Sequence, residues 1–109
     1  MSILIKGGIV ATATKAFVGD VLIENGIIKQ LAKHIDKDVD DVIDAEGKYV
    51  IPGGIDVHTH LNIHVGDLVA ADDFYTGTVA AACGGTTTIV DHLGFGPRGC
   101  SLKHQVDVY

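Results

Sequence analysis

Apolar residues occur in short β-branched runs over the first fifty positions. Ile3-Leu4-Ile5 stops at Gly7-Gly8, Ile9-Val10-Ala11 resumes, and Val21-Leu22-Ile23 leads into Glu24-Asn25-Gly26 before Ile27-Ile28-Lys29-Gln30-Leu31. An Asn-Gly pair between two such runs is the strongest short-range hairpin signal, because both turn residues accept positive φ. Val42-Ile43-Asp44 and Tyr49-Val50-Ile51 flank Glu46-Gly47 and predict a second hairpin. Residues 1–51 are therefore expected to form part of a small β-sandwich. They hold no cluster of chemically useful side chains, and Asp36 to Asp41 reads as a solvated loop.

The pattern changes at Pro52-Gly53-Gly54. Gly54 to His60 is strand-like, and a loop with Gly66 and Asp67 follows. Asp72 is the expected N-cap of a helix over 73–83, with Phe74, Thr78, Ala81 and Ala82 on one face. Gly84-Gly85 should end that helix, and Thr86-Thr87-Thr88-Ile89-Val90-Asp91 reads as a β-branched strand. Strand, helix and strand make one βαβ unit, so the two strands should be parallel. A single such unit cannot cover both faces of a parallel sheet. A full (β/α)8 barrel takes ~250 residues, so residues 52–109 are expected to be the truncated start of one. His104 to Tyr109 should open a further helix.

Composition narrows the function classes. Hydrophobic residues make up 47% of the 109 positions and charged residues 20%, the balance of a globular chain rather than a disordered one. A net charge of -6 argues against nucleic acid or an anionic membrane as partner. The start, Met1-Ser2-Ile3-Leu4-Ile5-Lys6, lacks the basic flank and apolar core of a signal peptide. Nor does any run approach the ~18 apolar residues of a membrane span. Cys83 and Cys100 form no Cys-x-x-Cys pair, and reduced thiols in a cytoplasmic protein are the simplest account. Cys83, at the end of the predicted helix face, reads as a packing residue with no base nearby to activate it.

Chemistry concentrates in Gly54-Ile55-Asp56-Val57-His58-Thr59-His60. Side chains alternate along a strand, so His58 and His60 share one side and Thr59 points away. Two imidazoles converging from a strand end suit a divalent metal, though the motif does not choose among zinc, nickel, cobalt, manganese and iron. A bare His-x-His is common and usually bland. Here it closes an apolar strand of a βαβ unit, where barrel enzymes hold their catalytic groups. Asp56 lies on the same face, deeper along the strand, where it could orient a ligand or contact the site.

Pro52 to His60, Ala71-Asp72-Asp73-Phe74-Tyr75-Thr76-Gly77-Thr78 and Gly84 to Asp91 together resemble the cyclic amidohydrolases. Within these the match is closest to the hydantoinase and dihydropyrimidinase branch, and to its D-phenylhydantoinase-like members. The resemblance implies that the chain is the amino-terminal piece of an α/β enzyme. That enzyme would combine a composite β-sandwich with a TIM-like metal-dependent hydrolase barrel and assemble as a homotetramer. It also implies two divalent ions per subunit, zinc first and manganese, cobalt or nickel as alternatives, with His58 and His60 on the more buried one. A bridging carboxylated lysine, two further histidines and a catalytic Asp would come from later strands. Hydroxide held between ions ~3.5–4 Å apart would attack a ring carbonyl. The later Asp would carry the proton to the departing nitrogen, giving an N-carbamoyl amino acid. The 109-residue piece alone should be inactive.

Asn62 helps choose among relatives. Dihydroorotases carry an Arg at this place to clamp a substrate carboxylate, and a neutral side chain cannot form that charged pair. Allantoinases usually continue with an acidic residue, Pro and Gly, where this chain has Ile63-His64-Val65-Gly66. A non-catalytic scaffold of the dihydropyrimidinase-related type is the rival from another class, and the retained histidine pair speaks against it. His64 is placed in a loop bordering the pocket, more simply as a solvated histidine. Asp91 and His92 end the second strand, where relatives often have an aromatic residue at the position of His92. Asp91 reads first as a structural residue or a support for the ligands. Gly94-Phe95-Gly96-Pro97-Arg98-Gly99 matches Gly-x-Gly-x-x-Gly but follows the second strand of its unit. A dinucleotide fingerprint opens from the first, so a loop at the pocket rim fits better.

Overall fold

A computed structural model describes residues 1–94 and 96–108. Phe95, within the glycine-rich loop, and Tyr109, at the end of the anticipated last helix, lie outside the described residues. Two compact units divide at Pro52 and Gly53.

In the first unit, β1 (Ser2–Ala11) is central. β2 (Ala16–Glu24) pairs with it antiparallel and β3 (Ile27–Ala32) pairs antiparallel with β2. Asn25 and Gly26 make the two-residue turn between β2 and β3 with φ of 50° and 76°, the left-handed values that an Asn-Gly hairpin requires. Leu4 and Leu22 are cross-strand partners, each 3% exposed, and Ile35 from the following loop completes their cluster with Ala32 and Val39. The stretch from Asp36 to Asp41 is exposed apart from half-buried Val39, as a solvated loop should be, and the buried Ile35 just before it ties it to the core.

Two expectations for this unit are corrected. Gly7-Gly8 does not end a strand; β1 runs through it with a register shift between Ile5 and Gly8. The second expected hairpin does not exist either. β4 (Asp41–Asp44) and β5 (Tyr49–Val50) each run parallel to β1, at Ile3 to Lys6 and at Ile9 to Val10. Glu46-Gly47 does form a turn, with Lys48 N–H donating to the Ala45 carbonyl at 2.9 Å. That turn steps the chain past the shift in β1 instead of reversing it. The free edge of β1 offers both short runs a partner, which local turn chemistry could not reveal.

Asp20 locks the irregularity. It is 3% exposed, and its two carboxylate oxygens accept from Gly7 N–H and Ile35 N–H, both at 2.9 Å. Burial raises its pKa. The two backbone donors, aided by the charges of His34 and Lys6, outweigh that and leave the carboxyl below its ordinary range.

The second unit opens with β6 (Gly54–Thr59), which ends one residue earlier than expected and leaves His60 just past the strand. β7 (His64–Val65) and β8 (Leu68–Val69) form a small hairpin inside the expected loop. α1 (Phe74–Cys83) leads to β9 (Thr86–Asp91), which pairs with β6 in parallel as the βαβ pattern requires. α2 (Leu102–Val108) begins two residues before the expected start at His104. Ten residues separate β9 from α2, so the glycine-rich segment does not run directly from strand into helix. No helix among the described residues is long and apolar enough to cross a membrane.

The helix also differs in detail. Its N-cap is Asp73, not Asp72: Asp73 Oδ1 accepts from Thr76 N–H at 2.7 Å and Thr76 Oγ1 accepts from Asp73 N–H at 3.1 Å, a reciprocal capping box. Its buried residue is Gly77, while Phe74, Thr78 and Ala82 are exposed and Ala81 is half-buried. A Cβ on residue 77 would lie 2.4 Å from Leu61 Cδ2, so the missing side chain allows the close approach that the apolar pattern concealed. Cys83, expected to pack, is exposed, as is Cys100, and both are free.

Replacing Asp20 by Ala in the intact protein should cost about 2 kcal/mol, because two donors lose their acceptor. Asp20→Asn, which keeps one oxygen, should cost less. A depressed carboxyl contributes stability above its unfolded pKa of about 3.9 that is lost as pH falls through the lower folded value. The melting-temperature gap between wild type and Asp20→Ala should therefore narrow below about pH 4.

Candidate metal centre

β6 delivers both histidines to the end of the strand. With a period of two, His58 and His60 project together, and their Nε2 atoms stand 3.1 Å apart. The rings meet edge to face, with centroids 5.0 Å apart and planes inclined by 70°. Thr59 between them is half-buried and turns the other way, its hydroxyl donating to Asp91 Oδ1.

The two histidines are oriented differently. His60 Nδ1–H donates to the His92 carbonyl at 3.0 Å, which leaves the Nε2 lone pair free to bind. No hydrogen-bond partner reaches His58 Nδ1 among the described residues. The His58 ring instead lies on the His92 ring, centroids 4.2 Å apart and planes within 4°.

The other anticipated residues divide into neighbours and supports. Asp56 does not reach an imidazole; its Oδ1 accepts from His58 N–H at 3.1 Å and so holds the main chain of that residue. Asp91 Oδ1 accepts from Leu61 N–H at 3.0 Å as well as from Thr59, so one carboxylate oxygen brackets His60 from both sides in sequence. Asp91 Oδ2 is buried and has no partner among the described residues. Asn62 and His64 do not meet the histidine pair. They line a separate depression of about 270 Å³ with Ile63, Phe74, Leu93 and Gln105. Asn62 has a φ of 50° and its N–H donates to the Asp72 carbonyl at 2.9 Å, so it turns the chain as well as lining the hollow.

The donor set can be tested against a divalent ion. Two ligands at ~2.0–2.1 Å in a tetrahedral arrangement have their nitrogens roughly 3.3 Å apart. The observed 3.1 Å fits two adjacent positions on one ion. No group of three or more His, Cys, Asp or Glu that could hold a metal occurs among the described residues, so the pair supplies two donors of a larger set. Sequence reasoning placed the pair on one side and read Asp91 as a structural residue or a support, but left the role of His92 open. The one signal was the adjacency of Asp91 and His92 at a strand end, which cannot say which of them faces the pair.

The sequence profile of the amidohydrolase family matches residues 41–98, which include the whole of β6, α1 and β9. The chain belongs to the amidohydrolase family. This amidohydrolase chain is 58% identical to the D-phenylhydantoinase of Escherichia coli O1:K1, covering 100% of itself and 24% of that relative. It is also similar to the crystal structure of dihydropyrimidinase from Brevibacillus agri NCHU1002, with a TM-score of 0.92 and 42% identity over 99% of this chain and 23% of that one. D-hydantoinase from Bacillus sp. AR9 gives a TM-score of 0.89 and 47% identity over 97% and 23%. The amidohydrolase chain thus spans about a quarter of the length of the relatives that it matches.

Asp91→Ala should lower the stability of the intact protein by about 2 kcal/mol, since the Thr59 hydroxyl and Leu61 N–H lose their acceptor. Asp91→Asn, which keeps an oxygen at Oδ1, should recover part of the loss in thermal unfolding.

Proposed function

We propose that the protein containing this chain is a cyclic amidohydrolase that opens hydantoin or dihydropyrimidine rings by metal-assisted hydrolysis, yielding N-carbamoyl amino acids. The observation that carries the reading is the pair of imidazole nitrogens 3.1 Å apart at the end of β6, within the family match. The names of the relatives, D-phenylhydantoinase and dihydropyrimidinase, supply the substrate class.

His58 and His60 would hold one divalent ion through Nε2, zinc in first place and manganese, cobalt or nickel as alternatives, in a centre of two ions. Bound there, such an ion lowers the pKa of water to about 7 and polarises a carbonyl oxygen. The bond from His60 Nδ1–H to the His92 carbonyl keeps the donor tautomer in place, and Asp56 holds the main chain of His58. Neutral Asn62, two residues past His60, gives no charged partner for a substrate carboxylate, which favours a ring without one. The remaining ligands and the residue that moves the proton belong to the full-length protein.

In this reading β6, α1 and β9 begin a (β/α)8 barrel and the sheet of residues 1–51 forms part of a β-sandwich. The face of β6 opposite the histidines supports it: Ile55 and Val57 alternate with Asp56 and His58 and are 62% and 67% exposed, apolar side chains that further barrel elements would cover. Assembly as a homotetramer and a cytoplasmic location complete the proposal, the latter supported by two cysteines that are not joined in a disulfide.

The test is metal analysis and hydrolysis of hydantoin, phenylhydantoin and dihydrouracil by the full-length protein. Stoichiometric metal and turnover are expected. His58→Ala and His60→Ala should each lower kcat/KM on the order of 10³-fold, the scale of losing a main electrostatic stabiliser, and lower metal content as well. A full-length protein that stays metal-free and inactive after reconstitution would sink the proposal. The 109-residue chain alone should show no measurable turnover.

A further inference from the structure

His92 meets the histidine pair and its strand through both its main chain and its ring. Its N–H donates to the Thr59 carbonyl at 2.9 Å, which fixes its own main chain against the residue between the two histidines. Its carbonyl accepts from His60 Nδ1–H at 3.0 Å. Its ring Nε2–H donates to the Val57 carbonyl at 3.1 Å, where the β6–β9 pairing shifts register between Asp56 and Thr59. Its face lies parallel to the His58 ring at 4.2 Å. His60 is oriented by a hydrogen bond at Nδ1, whereas the His58 ring has none at Nδ1 among the described residues; it stacks on His92 and meets His60 edge to face through the two Nε2 atoms.

We propose that His92 is a positioning residue for the His58–His60 pair, its ring acting as the platform that sets the orientation of the His58 imidazole. The inference rests on the metal-binding reading above. An imidazole held only by its Cα–Cβ and Cβ–Cγ bonds sweeps its Nε2 over several ångströms. A flat neighbour pinned at its far edge confines the ring to one plane, and the Nε2 atoms of both histidines then meet at one point. A planar face is what this role requires, and the hydrogen bond to Val57 keeps that face in place. Supports of this kind are worth 10–100-fold in metal affinity.

The test uses the full-length protein stripped of metal, with cobalt(II) as probe. Affinity is measured by competition against a chelator, the site geometry by the cobalt visible spectrum, and folding by the melting temperature of the metal-free form. His92→Ala and His92→Leu should bind cobalt at least about 10-fold more weakly, with an altered spectrum and little change in metal-free melting temperature. His92→Phe, which restores a flat face, should return affinity and spectrum most of the way to wild type. Should His92→Ala fail to fold, the comparison of Phe with Leu, similar in bulk but different in shape, decides the matter. Affinity unchanged in His92→Leu, or equal losses in Leu and Phe, would overturn the proposal. Wild-type protein that takes up no cobalt would overturn the metal-binding reading with it, whereas normal wild-type uptake and a neutral His92→Leu would overturn this inference alone.

Discussion

The geometry of the site depends on the residue between the histidines. Thr59 is half-buried because its hydroxyl is tied to Asp91, and alternation along β6 then obliges both neighbours to face the opposite side. Asp91 also takes the N–H of Leu61, so the chain is held on both sides of His60 just where regular strand pairing stops. The closeness of the two imidazole nitrogens follows from this constraint.

The two units solve the same problem in the same way. Parallel or antiparallel pairing is interrupted in each, between Ile5 and Gly8 in β1 and between Asp56 and Thr59 in β6. Near each interruption a carboxylate accepts from backbone groups: Asp20 from Gly7 and Ile35, and Asp91 from Leu61. A buried N–H without an acceptor is costly, and at these two interruptions a nearby carboxylate meets that demand. In the first unit the result is a continuous β1 along which β4 and β5 both pair. In the second it is a fixed strand end carrying the candidate ligands.

Packing shows where sequence composition and observed environment part. α1 makes its close approach through Gly77 against Leu61, a contact created by the lack of a side chain and therefore invisible to a search for apolar periodicity. Leu61 directly follows His60, so this approach connects the helix to the site. Ile55, Val57 and Cys83 are exposed despite apolar character, in keeping with the proposed barrel, whose further strands and helices would cover them.

Local chemistry made much of this legible in advance. The Asn25-Gly26 turn, the parallel β6–α1–β9 unit and the shared face of His58 and His60 each follow from φ preferences or a period of two, properties of a few adjacent residues. The route of β4 and β5 along β1, the choice of Asp73 over Asp72 as cap, the partners of Asp20 and the grip of His92 on both histidines did not. These are settled by groups distant in sequence competing for one another's hydrogen bonds and surfaces, and only the folded chain brings the competitors within reach.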